Sequence, residues 1–117
     1  ACCANGVTGL ETLLGLTLRL VDEGGLDLAT ALQRITSGPA EILGLDAGRL
    51  GVGDMADVCI LDPEARWEVD PAAMHSRSLN TPFAGWNLRG RVERTLLGGR
   101  TVYPFPHEPA LQEGRLG

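Results

Sequence analysis

The groups in this chain best suited to chemistry are His75 and His107, Cys2, Cys3 and Cys59, and fifteen Asp or Glu side chains. A hydrolytic metal site needs several such ligands on rigid elements, at spacings such as His-x-His or HExxH. Neither pattern occurs, and the histidines stand far apart in the chain. Each reads as a surface or loop residue. Cys2 and Cys3 are adjacent, so their side chains are poorly placed to share one ion, and no CxxC spacing exists. They read as small residues of a packed loop. Cys59 lies in the apolar run Val58-Cys59-Ile60-Leu61 and reads as core. Two loop histidines supply no Ser-His-Asp or Cys-His arrangement.

Gly48-x-x-Gly51-x-Gly53 looks like a phosphate loop, but it precedes a strand instead of opening a helix. That context fails the dinucleotide test and predicts a turn. Asp57 and Asp62 bracket the strand and read as turn and edge residues. Arg89, Arg91, Arg94 and Arg100 form a local basic patch, which a solvated hairpin face explains. Asn5-Gly6 is the more interesting segment. A glycine permits close backbone approach, and a helix starting just beyond would present unpaired N–H groups and a positive dipole end. Such a loop could hold a carboxylate or a carbonyl-rich ligand; a plain helix-entry turn is the equal alternative.

The elements that must position these residues change character near Gly48. Before it the pattern is helical. Thr8-Gly9-Leu10-Glu11 has the form of a capping box, in which the Thr8 hydroxyl accepts from the Glu11 N–H and the carboxylate reaches back. Leu10, Leu13, Leu14, Leu18 and Val21 follow helical spacing, Leu16 and Leu20 widen the stripe, and Gly24-Gly25 ends it. Asp27 caps a second helix with Leu28, Ala31, Leu32 and Ile35 on one face. A third short helix runs from Pro39 to Leu43 and stops at Gly44.

Beyond Gly48 the pattern is that of strands. Ala56 to Leu61 ends in four apolar residues, so both faces are expected to be covered. Asp62-Pro63 is expected to turn the chain, and Arg66 to Val69 alternates like a half-exposed strand. Asp70 to Met74 reads as one capped helical turn. Arg91 to Leu97, Gly98-Gly99, and Arg100 to Tyr103 read as a hairpin with a two-residue turn. This gives segments 1–47, 48–104 and an irregular proline-bearing tail, 105–117.

Hydrophobic residues make up 44% and charged residues 21% of the 117, which is globular and not disordered. A net charge of −5 and a pI near 4.9 argue against nucleic-acid binding, which needs concentrated positive charge. Leu10 to Val21 is too short and too interrupted to span a membrane, and no secretion signal opens the chain. An odd number of cysteines, two of them adjacent, argues against a disulfide framework; a reducing cytoplasm is expected. Aromatics are only 4%, thin for a self-sufficient core. The first residue is Ala1 and not Met, so the chain is expected to be part of a longer one whose missing sequence supplies strand partners.

Four motifs, in order, resemble dihydroorotase. Gly6-Val7-Thr8-Gly9-Leu10-Glu11-Thr12 is similar to the loop and helix after that family's last barrel strand. Thr36-Ser37-Gly38-Pro39-Ala40-Glu41-Ile42-Leu43-Gly44-Leu45 resembles its T-x-x-P-A-x-I-L-G-L stretch. Gly48-Arg49-Leu50, Gly53 and Ala56-Asp57-Val58, followed by Asp62-Pro63, resemble the closing segment of many amidohydrolases. Ser78, Asn80-Thr81-Pro82-Phe83, Gly85-Trp86, Leu88, Gly90 and Val92, continuing to Val102-Tyr103, resemble the dihydroorotase ending.

The resemblance implies an α/β fold: the C-terminal part of a metal-dependent hydrolase (β/α)8 barrel, plus strands of a small composite β-domain. Catalytic sites of such barrels are built on the βα loops. Zinc is implied as cofactor, held by upstream histidines, an Asp and a carboxylated Lys. None of those motifs stands in this chain, which has no Lys, so no catalytic or metal residue is assigned in it. The family's substrate-contacting backbone dipeptide maps onto Asn5-Gly6, with Asn5 standing where many dihydroorotases have an aromatic residue. The implied reaction interconverts N-carbamoyl-L-aspartate and (S)-dihydroorotate in pyrimidine biosynthesis. The alternatives are an inactive dihydroorotase-like subunit supporting aspartate transcarbamoylase assembly, and another cyclic-amide hydrolase of dihydropyrimidinase or allantoinase type. The expected partners are the remainder of the polypeptide, a small-molecule substrate, a second copy in a homodimer and aspartate transcarbamoylase, with neither nucleic acid nor membrane.

Overall fold

The computed structural model describes residues 6–104. Asn5, Cys2, Cys3, His107 and the 105–117 tail lie outside them. Helix α1 spans Leu13–Asp22 and ends where Gly24-Gly25 implies. Gly24 takes φ +77, its N–H donates to the Val21 carbonyl, and the Gly25 N–H donates to the Leu20 carbonyl, both at 3.0 Å. This paired closure satisfies carbonyls the helix leaves open. Helix α2, Leu28–Ile35, starts on Asp27 as expected. One carboxylate oxygen accepts the Thr30 N–H at 2.9 Å and the other the Thr30 hydroxyl at 2.8 Å. These bonds hold the Asp27 carboxyl below its ordinary value, the backbone N–H bond leading. Helix α3 spans Ser37–Leu43, starting ahead of Pro39 because a proline is tolerated throughout the first turn. It stops at Gly44, φ +65.

Strands β1 (Val58–Glu68), β2 (Asn87–Leu97) and β3 (Arg100–Tyr103) form one sheet in that order. Between β1 and β2 lies a 3₁₀ turn, Pro71–Ala73, whose first N–H groups include one donating to the Asp70 carboxylate at 3.0 Å. The β2–β3 hairpin pairs Leu97 with Arg100 across Gly98-Gly99. Both glycines have positive φ, +56 and +81, the combination a tight two-residue turn demands. Asp57 is a turn residue as expected: its carboxylate accepts the Gly98 N–H at 2.8 Å, beside the Gly99 N–H bond to the Ala56 carbonyl at 2.9 Å.

Two strand expectations are corrected. Asp62-Pro63 does not turn the chain; β1 runs through it without interruption, because a proline is tolerated on an edge strand and β1 is at the edge of the strand order. Nor are Cys59 and Ile60 buried. Cys59 is an exposed free thiol and Ile60 is 42% exposed, so the apolar run is not covered on both faces by the described residues.

The chain divides into two compact units, Ala1–Arg34 with Pro63–Arg91, and Ile35–Asp62 with Val92–Gly117. The core of the first is an interlock of α1 with β2. Leu18 is fully buried and Leu88 nearly so. A Cβ on Gly15 of α1 would lie 2.8 Å from Leu88 Cδ1, and a Cβ on Gly90 of β2 would collide with Leu18 Cδ1. Each glycine thus seats the other element's leucine. The buried side of α1 is centred on Thr12, Gly15, Thr17 and Leu18, while Leu10, Leu13 and Leu20 of the expected stripe are exposed. Val69, 1% exposed, joins this core through bonds to the Trp86 carbonyl and the Gly85 N–H at 2.9 and 2.8 Å.

Arg89 is another correction. It is not on a solvated face: its side chain is 14% exposed. Its Nε donates to the Asp22 carboxylate at 2.7 Å and its Nη1 to the Pro63 carbonyl at 2.8 Å. The hydrogen bond between them lowers the Asp22 carboxyl and raises the Arg89 guanidinium relative to their ordinary values. Arg19 lies 4.4 Å over the Trp86 ring, whose edge meets Phe83 at 5.0 Å.

The capping box does not form. Residues 10–12 make a turn and α1 begins at Leu13, with Thr12 at its N-cap and no side-chain cap bond. Glu11 therefore precedes the helix, and its carboxylate finds three donors elsewhere: the His75 N–H at 2.9 Å, the Ser76 N–H at 3.1 Å and the Ser76 hydroxyl at 2.7 Å. Burial pushes this carboxyl up, but the three hydrogen bonds together bring it below its ordinary value. Three donors on one ionised group outweigh the single backbone N–H that a capping box offers.

Two outcomes follow from this packing. Gly90→Ala should lower stability by ~1–3 kcal/mol, the usual cost of an added methyl in a filled core. Gly9→Ala, where a Cβ meets nothing within 4 Å, should change it by less than ~0.5 kcal/mol; urea midpoints of the two variants check this, and equal midpoints would refute the interlock. For Glu11, a folded-state value below the unfolded one of about 4.3 means its contribution is complete above that pH and disappears as pH falls through the folded value. Glu11→Gln should therefore be less stable than the parent at pH 7, with the gap closing in acid. A gap that stays constant from pH 7 to roughly 3 would count against the bonded carboxylate.

Candidate functional site

The segment singled out by sequence begins at Gly6, which is exposed and takes φ +94. An L side chain rarely adopts that conformation, and a Cβ built there meets nothing within 4 Å. Hydrogen bonds hold this loop. The Asn80 side-chain amide donates to the Gly6 carbonyl at 2.6 Å, and the Asn80 carbonyl accepts the Thr8 N–H at 2.9 Å. Asn80 is itself braced by the Ser78 hydroxyl, which accepts its N–H at 3.2 Å. Together with the Glu11 bonds to His75 and Ser76, these join residues 6–11 to residues 75–80 along both segments.

This geometry alters the electrostatic reading of the loop. Because α1 begins only at Leu13, its N-terminal N–H groups do not directly follow Thr8, and Thr12 at the N-cap is fully buried. The donors and acceptors near Gly6 are those of an extended loop and a carboxamide. Sequence reasoning missed Asn80 in this role. Its signal was the placement of Asn80 within a turn-rich segment, Ser78 to Gly85, but nothing local says which distant backbone an amide will hold.

The other candidates resolve into structural roles. Gly48 to Gly53 is the expected turn. Gly48 takes φ +75 with a Cβ position 2.9 Å from Ser37 Cα, and the Asp54 carboxylate accepts the Gly51 N–H at 2.8 Å. Arg49 bridges Asp46 and Asp54 across it. His75 is an exposed loop residue, as expected, using its backbone N–H on Glu11. Asp62 lies within β1. Among the described residues, no three His, Cys, Asp or Glu side chains gather where they could hold one metal ion, and no helix is long and apolar enough to cross a membrane.

Comparison with known proteins places this geometry. A dihydroorotase of Syntrophotalea carbinolica is 56% identical over 99 residues, 85% of this chain and 23% of that protein. One of Anaplasma phagocytophilum is 46% identical over 103 residues, 88% and 23%. The chain thus spans about a quarter of the length of these relatives. Among solved structures, the L-hydantoinase (dihydropyrimidinase) of Arthrobacter aurescens superposes with a TM-score of 0.77 at 33% identity, over 86% of this chain and 23% of that one. A D-hydantoinase (dihydropyrimidinase) of Thermus sp. gives 0.77 at 25%, over 84% and 22%. The resemblance read from the four motifs is borne out, and the α/β class with it. The model of the amidohydrolase family matches residues 3–103, nearly the whole length over which helices, sheet and Gly6 loop have been traced, and the chain belongs to that family.

Proposed function

We propose that this chain is the C-terminal part of a dihydroorotase, a cyclic amidohydrolase interconverting N-carbamoyl-L-aspartate and (S)-dihydroorotate in pyrimidine biosynthesis. The observation that carries the reading is the 56% identity to a dihydroorotase over 85% of the chain, well above the 33% to the hydantoinase of similar fold. In this reading α1 to α3 belong to a (β/α)8 barrel and the strands to a small composite β-domain, completed by the remainder of the polypeptide. The barrel's chemistry resides in its βα loops, and Gly6 stands in the last of them.

The zinc that the family resemblance implies has no set of holders among the described residues. In this reading its ligands belong to the rest of the protein. What this chain contributes is a backbone contact. The Asn5-Gly6 peptide segment faces the substrate, with Gly6 chosen because a positive φ and a missing Cβ let the main chain approach closely. A cytoplasmic homodimer, with aspartate transcarbamoylase as a further partner, completes the proposal.

The reaction carries its own pH signature. Cyclisation converts a dianion and a proton into the dihydroorotate monoanion and water, so acid favours ring closure and alkali favours opening. The full-length protein is expected to follow that direction and to turn over dihydroorotate in preference to dihydrouracil or allantoin. Turnover of an uncharged ring with none of dihydroorotate would overturn the assignment. Gly6→Val should raise KM or lower kcat, since a β-branched residue at φ +94 costs of order 1–3 kcal/mol in backbone strain, while leaving the zinc content unchanged. Parental kinetics in that variant would remove Gly6 from the substrate site.

A further inference from the structure

We propose that Asn80 is a positioning residue for the substrate loop, holding Gly6 in the conformation that meets the ligand. The inference rests on the reading of Gly6 as a substrate contact. Asn80 grips two successive peptide groups of that loop. Its side-chain amide donates to the Gly6 carbonyl at 2.6 Å, which belongs to the peptide before Val7. Its carbonyl accepts the Thr8 N–H at 2.9 Å, which belongs to the peptide after Val7. The planes on both sides of Val7 are therefore set by one residue from a segment more than seventy positions away in sequence.

The loop needs such a hold. Gly6 has the widest backbone freedom of any residue type, and among the described residues beyond its chain neighbours no atom lies within 4 Å of a Cβ position there to confine it. Val7 is 59% exposed and gives little packing either. An unrestrained loop would have to be ordered by the ligand at binding, which weakens affinity. Asn80 does the ordering in advance, and a carboxamide is the right group for it: an amide donor opposite a carbonyl, on a side chain too short to wander.

The division of labour along the two segments makes the idea separable from simple stability. The Glu11 bonds to His75 and Ser76 and the backbone bond from Thr8 to Asn80 do not involve the Asn80 side chain. Removing the carboxamide should leave residues 75–80 docked and release only the Gly6 carbonyl. Asn80→Asp goes further, placing a carboxylate against that carbonyl, where acceptor faces acceptor.

The test is steady-state kinetics of the full-length protein with dihydroorotate, in Asn80→Ala, Asn80→Ser, Asn80→Asp and Gly6→Ala, and in the Gly6→Ala/Asn80→Ala pair. Asn80→Ala and Asn80→Ser should raise KM about three- to ten-fold, the worth of one net hydrogen bond, with kcat and Tm close to parental. Asn80→Asp should raise KM further. The double variant should show less than the product of the single effects, because both changes act on one loop. If the Asn80 variants lower Tm or the active fraction without moving KM, while Gly6→Ala does move it, Asn80 is merely structural and the proposal falls with the Gly6 reading intact. If Gly6→Ala leaves KM unchanged, or the protein does not turn over dihydroorotate, the underlying reading fails and this inference with it.

Discussion

The seating of Leu18 over Gly90 and of Leu88 over Gly15 is the contact on which the first unit depends. Two glycines, one on a helix and one on a strand, remove the side chains that would keep α1 and β2 apart, and two leucines fill the space. Close-packed interiors resist even one added methylene, so this pair of contacts sets the spacing and the rotation of α1 on the strand. The described residues ahead of α1, from Gly6 on, lead into that docked helix and are bonded to residues 75–80. The polar links at the rim, Arg19 over Trp86 and the largely buried Arg89 to the half-exposed Asp22, are consistent with the same placement.

The second constraint is hydrogen bonding between segments distant in sequence. Glu11 lies in the turn before α1, and its carboxylate is satisfied by His75 and Ser76. A few residues earlier, Asn80 holds Gly6 and Thr8. One segment thus serves as a brace for the other, and the brace itself is anchored by the Asp70-capped turn and by the bonds of Val69 to residues 85 and 86. A loop with a left-handed glycine thereby gains definition from hydrogen bonds.

Family membership and substrate rest on different foundations. The superposition with hydantoinases at a TM-score of 0.77 reflects a shared framework of helices and strands, and one fold hosts several cyclic-amide chemistries. The proposed dihydroorotase reading rests instead on the higher overall identity, 56% to a dihydroorotase against 33% to the hydantoinase. Gly6 to Thr12 and Ser78 to Gly85 were read as separate stretches; hydrogen bonds from Asn80 to Gly6 and Thr8 join them.

Much of this was legible without a structure, and for local reasons. Gly24 and Gly44 end helices because glycine accepts φ +77 and +65 there without strain, and Asp27 caps α2 because its carboxylate reaches an N–H three residues on. Gly98-Gly99 dictates its hairpin for the same kind of reason. The family was legible too, since motifs in order survive without knowledge of contacts. What tertiary structure alone decided are the choices between a near partner and a distant one. Glu11 could cap its own helix or bond His75 and Ser76, and three donors outcompete one. Arg89 could face water or Asp22, and docking of α1 brought Asp22 within 2.7 Å. The buried side of α1 passes through Gly15 and Thr17 instead of the full leucine stripe, because the strand presents Leu88 and Gly90 to it. Asn80 could be any polar turn residue until the fold sets Gly6 beside it. Composition and spacing determine what each segment is able to form; which of its groups meet is a property of packing, and no single segment contains it.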